Sequence, residues 1–204
     1  MRLFRGLRRR VAAAVERDGL YPWLDVCCGT GSQFRGLRRG SNLPFAAKGG
    51  FDPLSDLVVC GLDKSFGFVG YAAARVPGVP FVCGDAGMLP FKDGSFWAVS
   101  VSFGLHDKSP DLRRAMMAEA RRALAPGGRF ITIDFENPWS AGSRVGALAV
   151  RAVERLAGGK HYRNGREFLS RGGLRAFLRE SGFVETARHD VEIGSISVVV
   201  ASPR

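Results

Sequence analysis

Between Arg2 and Arg17 the apolar residues Leu3, Phe4, Leu7, Val11 and Val15 recur at three- and four-residue spacing with arginines between them, the period of one face of an α-helix. Asp18-Gly19 and Tyr21-Pro22 end that pattern, and Trp23 to Cys27 reads as a strand. Apolar runs return at Leu57–Leu62, Pro80–Cys83, Phe96–Phe103 and Arg129–Phe135. The first of these is nearly continuous, as in a strand buried on both faces; the third alternates Trp97, Val99 and Val101 with smaller residues. Helical stretches separate the runs at Phe66–Arg75 and from Ser109-Pro110 to Ala125, where Leu112, Met116, Ala120, Ala123 and Leu124 stripe one face. Ser109 offers a capping oxygen there, and Pro110 suits the first helical position, where no backbone N–H is needed. A helix near Arg144–Leu156 then precedes Gly158-Gly159-Lys160-His161-Tyr162-Arg163. A last helix, Arg171–Ser181, carries Leu174, Phe177 and Leu178, stops at Gly182, and is followed by strands near Phe183–Asp190 and Ser195–Ala201.

Strand and helix alternate through five units, which predicts an α/β domain with a doubly wound parallel sheet. A length of 204 residues with 46% apolar composition suits one such domain. The alternation is interrupted once. Ser32–Arg39 leaves room only for a short helix, and residues 40–56 are punctuated by glycine and proline into a long loop. Loops of that kind serve as lids or substrate contacts, or are plain surface insertions.

The net charge of +11 favours an anionic partner, nucleic acid or an acidic membrane surface, although a basic chain can simply be soluble. The basic helix either packs one face on the sheet or offers a surface to anionic lipid. Cys27, Cys28, Cys60 and Cys83 lie in or beside predicted strands, with no C-x-x-C pair and no histidine at ligand spacing. They read as small core hydrophobes in a reducing compartment, and metal binding is disfavoured. The apolar run Val11–Val15 is too short for a signal-peptide core and nothing approaches a membrane span, so the expected location is cytoplasmic.

Candidate chemistry gathers around Leu24-Asp25-Val26-Cys27-Cys28-Gly29-Thr30-Gly31-Ser32-Gln33, a strand that runs into a glycine turn. Strands of an open α/β sheet deliver their carboxyl ends to the ligand crevice, and glycines there let backbone N–H groups approach closely. No Lys-Ser or Lys-Thr follows, which excludes a P-loop, and the third glycine of a dinucleotide fingerprint is missing, which disfavours a nicotinamide dehydrogenase. What remains places the Asp25 carboxylate beside the turn, where it would repel a pyrophosphate but suits an ammonium or a sulfonium. S-adenosylmethionine carries both. Asp63 ends the next strand, where an acid can accept both ribose hydroxyls of an adenosine; the competing role is an N-cap, for which Ser65 is also placed.

Taken in order, the glycine turn, Gly61-Leu62-Asp63-Lys64-Ser65, Gly84-Asp85-Ala86 with Leu89-Pro90-Phe91, and Leu124-Ala125-Pro126-Gly127-Gly128-Arg129 resemble the class I S-adenosylmethionine-dependent methyltransferases over about residues 20–135. Within that superfamily, Val101-Ser102-Phe103-Gly104-Leu105 and Ile133-Asp134-Phe135-Glu136-Asn137-Pro138 are similar to the Ser-Phe-Gly-Leu-Arg-Asn and Glu-Phe-Ser-x-Pro segments of the ubiquinone/menaquinone C-methyltransferases. The resemblance implies a Rossmann-like, doubly wound, mostly parallel seven-stranded sheet with an antiparallel last strand. It divides the chain into a basic helix (1–22), a cofactor-binding core (23–135), a substrate-covering insertion (136–170) and a last helix with two strands (171–204). It implies that Asp25, Cys27, Gly29, Thr30, Gly31, Asp63, Lys64, Asp85, Ala86 and Ser102 line the S-adenosylmethionine site; no metal is expected, and the protein is expected to be a monomer or homodimer. The acceptor is expected to be a small molecule, with a lipid quinol methylated on a ring carbon as the leading case. O- or N-methylation of another small molecule, RNA methylation and a non-catalytic cofactor-binding role are the alternatives; no Asn/Asp-Pro-Pro-aromatic motif supports RNA. The sequence departs from the family at Cys27 (usually Gly or Ala), Gln33 (usually Asp) and His106-Asp107 (usually Arg-Asn).

Removing a phenolic proton makes a quinol ring carbon nucleophilic, so a base is useful. His106, oriented by Asp107, is the candidate, the alternative being a pair that only stabilises the turn. His161, Tyr162 and Arg163 are candidates for the substrate pocket. With a lipid quinol as acceptor, the basic helix together with Arg144, Arg151 and Arg155 would favour the membrane surface.

Overall fold

The computed structural model describes residues 2–34, 59–138, 140, 142–144, 147, 155, 158–191 and 195–204. The predicted loop 40–56, most of the short helix 32–39 and most of the helix near 144–156 lie outside the described residues. In chain order the elements are α1 (Arg2–Arg17), β1 (Trp23–Val26), β2 (Val59–Asp63), α2 (Phe66–Arg75), β3 (Phe81–Cys83), β4 (Phe96–Ser102), α3 (Pro110–Ala123), β5 (Leu124–Phe135), α4 (Gly159–Ser170), α5 (Gly173–Glu180), β6 (Phe183–Val191) and β7 (Ile196–Pro203). They build one seven-stranded sheet in the order β3-β2-β1-β4-β5-β7-β6, with β7 antiparallel to both of its neighbours and β1 to β5 parallel. This is the sheet the resemblance implies. The chain winds outward from β1 in both directions, so the order reverses between β1 and β4, and ligands bind at such a switch point, outside the carboxyl ends of the strands.

Side-chain alternation along the strands divides the core. Trp23, Ala98, Ile131, Ile133, Ile196 and Val198 cluster with Leu7, Val11 and Val15 of α1. Leu24, Val26, Val99, Val101 and Phe130 cluster with Met116 and Ala120 of α3, Phe168 of α4, and Leu174 and Leu178 of α5. Leu7, Val11 and Val15 of the α1 stripe are therefore spent on the sheet, and exposed Arg9 and Arg10 remain on the outer side of the helix. Among the described residues, no helix is long and apolar enough to cross a membrane.

The capping expectations hold. Ser109 Oγ accepts the Leu112 N–H with Pro110 next in the chain, and Ser65, not Asp63, caps α2 by accepting from Phe68. The local detail departs from the sequence reading at several points. Pro126-Gly127-Gly128 is no strand boundary: β5 begins at Leu124, and a bulge at the glycines shifts the register from Phe96↔Leu124 to Ala98↔Arg129, with Gly127 at φ +82°. The segment from Gly159 to Ser170 is helical, although its glycines hide the helix from a propensity reading. Gly172, at φ +105°, separates this helix from α5, which begins at Gly173 instead of Arg171. Trp97 is exposed rather than buried with Val99 and Val101, and so is Cys83.

Candidate functional site

The site grows from two loops that leave neighbouring strands at the switch point: the glycine turn after β1 and the segment from Phe103 to Lys108 after β4. Backbone of the first is left-handed at Cys27 (φ +58°), Gly29 (φ +54°) and Gly31 (φ +68°). A side chain at Gly31 would meet the Phe81 ring at 2.9 Å, and one at Gly61 on β2 would meet the same ring at 2.5 Å, so Phe81 fills the space that both glycines vacate. A side chain at Gly29, by contrast, would meet nothing within 4 Å among the described residues.

Asp63 ties the turn to β2. Its Oδ2 accepts the Gly29 N–H at 2.8 Å and its Oδ1 accepts the Ser65 N–H at 2.9 Å, while Cys28 N–H donates to the Leu62 carbonyl at 3.0 Å. Each carboxylate oxygen keeps a second lone pair. At the end of β3, Asp85 accepts the Gly87 N–H and the Lys64 ammonium. These two donors, the backbone first, hold its carboxyl below the ordinary range. Ala86 beside it is buried, and Thr30 is half-buried. The structure thus brings Gly29, Asp63, Lys64 and Asp85 together along three adjacent strand ends.

Asp25 and Ser102 lie deeper. Asp25 is only 2% exposed; its Oδ1 accepts a 2.6 Å hydrogen bond from Ser100 Oγ, which in turn accepts from Trp23 Nε1. Burial pushes the Asp25 carboxyl up to about 7. It can influence a charged ligand only from inside the wall. Ser102 Oγ donates to Gln33 Oε1 at 3.4 Å, and Gln33 Nε2 donates to the Arg8 carbonyl, so Gln33 joins the turn, β4 and α1. Burial pushes the Cys27 thiol up to about 12, toward its protonated form.

After β4 the chain presents His106, 4% exposed. The expectation that Asp107 orients it is corrected. Its Nδ1 lies 2.7 Å from Asp134 Oδ1 on β5, and Asp134 also accepts the backbone N–H groups of Leu105, His106 and Phe135. Burial alone would raise the Asp134 carboxyl, but the His106 ring and these donors hold it below the ordinary range. With Nδ1–H directed at Asp134, the assigned neutral tautomer carries its lone pair on Nε2. Asp107 instead pairs with Lys108 at 2.7 Å, and its Oδ2 lies 3.7 Å from His161 Nδ1. Asp107 follows His106 directly, and chain neighbours diverge at a turn; the β5 partner could be found only through the sheet register, which sets Ser102 beside Ile133 and so Asp134 one residue beyond.

A second residue missed in the sequence fastens α4 over this loop. Arg113, on the first turn of α3 and 2% exposed, donates to the Lys108 and Asn164 carbonyls and pairs with Glu167 at 2.6 Å. Asn164 Nδ2 donates to the Asp107 carbonyl at 2.7 Å. His161 is thereby brought next to His106. Tyr162 lies under the guanidinium groups of Arg155 and Arg166. Among the described residues no cluster of three or more His, Cys, Asp or Glu side chains has the spacing to hold a metal ion.

Comparison with known proteins places this arrangement. The methyltransferase domain family matches residues 24–128. A ubiquinone/menaquinone biosynthesis C-methyltransferase, UbiE, of Methylobacterium nodulans is 32% identical over 97% of this chain and 79% of its own length. The demethylmenaquinone methyltransferases of Beutenbergia cavernae and Streptomyces avermitilis are 39% and 37% identical over 56% and 64% of the chain, which spans only 41% and 49% of their lengths, about half. Among solved structures, a Pyrococcus horikoshii protein superposes with a TM-score of 0.60 at 21% identity, covering 89% of this chain and 81% of that one. Geranyl diphosphate C-methyltransferase from Streptomyces coelicolor does so with a TM-score of 0.58 at 18% identity, covering 89% and 70%; these two likenesses speak for the fold. A turn, two strand-end acids and a sheet order that agree with a domain match over half of the chain lead to one conclusion: this chain belongs to the methyltransferase domain family.

Proposed function

We propose that the protein transfers the methyl group of S-adenosylmethionine to a ring carbon of a hydroquinone-type small molecule, the chemistry that the names of its demethylmenaquinone and ubiquinone/menaquinone relatives indicate. The observation that carries this reading is the pairing, at one switch point, of a glycine turn bonded to Asp63 with a buried histidine backed by a carboxylate. The space over Gly29, which no described residue enters within 4 Å, and the remaining lone pairs of Asp63 suit an adenosine ribose, with Lys64, Asp85 and Ala86 taken as the residues for the adenine end. Thr30, Gly31 and Cys27 shape the turn, while Asp25 and Ser102 support it from behind. The donor supplies an electrophilic methyl on a sulfonium. The chain's own residues have to position the acceptor, keep water out and take a proton, and positioning contributes most of the acceleration in such a displacement. His106 Nε2 removes the phenolic proton and Asp134 holds the ring; Asp107 keeps a supporting place through its contacts with Lys108 and His161.

Calorimetric titration with S-adenosylmethionine and S-adenosylhomocysteine tests the first half of the proposal. Micromolar binding that Asp63→Ala loses is expected, and no binding to the folded wild type would overturn it. Mass-spectrometric detection of a methylated product from a demethylated naphthohydroquinone tests the second half; activity only on simple phenols or amines would replace the quinol by another small acceptor. For a lipid quinol, exposed Arg9 and Arg10 on α1 offer a cationic contact with anionic lipid. Failure to co-sediment with anionic vesicles would count against it.

A further inference from the structure

The rings of His106 and His161 meet edge to face, with centroids 5.3 Å apart and planes at 84°. Their surroundings differ. His106 is buried between Asp134 and the Phe135 ring, whereas the His161 side chain is 29% exposed and lies 3.7 Å from the Asp107 carboxylate. Among the described residues, the groups placed against the pair include Asp134 from β5 and Asp107 with its partner Lys108 from the loop; Arg113 of α3 reaches that loop through the Lys108 carbonyl. Each imidazole thus has one carboxylate beside it, one enclosed and one close to water. His161 is fixed in place by its own helix, because Asn164, one turn further along α4, donates to the Asp107 carbonyl.

The inference rests on the proposed function. Transfer of a methyl from a sulfonium to an aromatic carbon forms one C–C bond, breaks one S–C bond with its electron pair left on sulfur, and breaks one ring C–H bond, whose proton is the net one released once the phenolic O–H is restored. A base as enclosed as His106 has to pass that proton on before it can act again. We infer that His161 is the relay that carries the proton from His106 to solvent. The ring pair provides the inner step, and the exposed edge of His161 beside Asp107 provides the outer one.

The relay can be measured without donor or acceptor. The sequence has three histidines, His106, His161 and His189, so NMR of the full chain with labelled imidazoles resolves each. Relaxation measurements near the midpoint of the His106 titration give the rate at which its proton exchanges with solvent. His161→Gln lowers that rate about tenfold, the low end of what a positioned proton-transfer group contributes, and added imidazole restores it. His161→Asn behaves in the same way, while His189, exposed on β6, keeps its exchange rate and reports an intact fold. Unchanged exchange at His106 in the folded variants, a loss that imidazole does not repair, or a His106 that fails to titrate between about pH 5 and 8 overturns the relay. Failure to find methyl transfer to any acceptor would leave this result standing and count against the proposed function alone.

Discussion

Replacing Asp25 by Asn should remove a pH dependence of stability that the native chain owes to one enclosed carboxyl. Ser100 Oγ accepts from Trp23 Nε1, so its own hydrogen is committed to Asp25 Oδ1. One hydrogen bond cannot replace the water lost on burial. Burial therefore drives the carboxyl from 3.8 to about 7, with Ser100 and Arg8 pulling it back and Asp63 adding to the rise. A folded-state value above the unfolded one means that the folded chain binds the proton more tightly. Stability from this group is then fully present below about pH 4 and lost as pH rises through about 7. At about 1.4 kcal/mol for each tenfold change in proton affinity, the loss is about 4 kcal/mol. Asparagine keeps an oxygen for Ser100 and cannot ionise, but its amide brings donors whose poor satisfaction costs about 1–3 kcal/mol at every pH. The difference in stability between variant and wild type should therefore swing by about 4 kcal/mol toward the variant between pH 4 and 8. Asp134, Asp85 and Glu119 are held low and destabilise the fold at acid pH, but they do so in both proteins and cancel in the difference. Urea unfolding across this range measures it, and parallel curves for the two proteins would refute the reasoning.

Three further outcomes follow from the packing and the site. Gly61→Ala puts a methyl 2.5 Å from the Phe81 ring and 3.0 Å from Cys28 Sγ; it should cost about 1–3 kcal/mol, and Phe81→Leu in the same chain should recover part of that in thermal unfolding. Arg113→Ala strips a buried cation from two carbonyls and Glu167; a cost of about 3 kcal/mol is expected, at the low end for a buried pair because Glu167 reaches water. Faster amide exchange confined to α4 and the Phe103–Lys108 loop would confirm the role of Arg113 as fastener. Asp134→Asn should lower kcat about a hundredfold with the donor affinity unchanged and should shift the pH–rate profile; an unaltered profile would refute Asp134 as the residue that positions His106. The same variant should lose less stability on acidification, because a carboxyl held low stabilises the fold above about pH 4 and ceases to as pH falls through its folded value.

What the sequence disclosed and what it withheld divide along a physical line. Features that depend on the chain within a few residues of themselves were legible: Ser109-Pro110 starting α3, Ser65 capping α2, and the continuous run that becomes the buried strand β2. The glycine turn belonged to the same class, since left-handed backbone at Gly29 and Gly31 follows from residue type. Cys27 also takes a left-handed conformation without being glycine, and nothing local announces that. Glycine misled where its usual meaning was overridden: Gly127 and Gly128 bend a strand without ending it, and Gly159 and Gly165 sit inside a helix that tertiary contacts from Arg113 and Asn164 hold in place.

Pairings across the sheet were not legible in the same way, and the candidate base shows why. His106 and Asp107 adjoin in sequence, which invites reading them as a dyad, yet one peptide bond at a turn separates their side chains. Asp134 reaches the imidazole because parallel pairing of β4 with β5 sets Ser102 beside Ile133. An acid at a fully buried strand position is costly unless donors converge on it, and Asp134 gathers three backbone N–H groups and an imidazole. That cost is itself a signal: an Asp amid Ile131, Thr132, Ile133 and Phe135 requires partners, and the loop after the neighbouring parallel strand supplies two backbone donors and a histidine. The same reasoning separates Asp134 from Asp25. Both carboxylates are enclosed, but the one with four donors ionises easily and the one with a single hydroxyl does not. Of the two, Asp134 is the one that lies beside an imidazole and can hold it as it takes a proton.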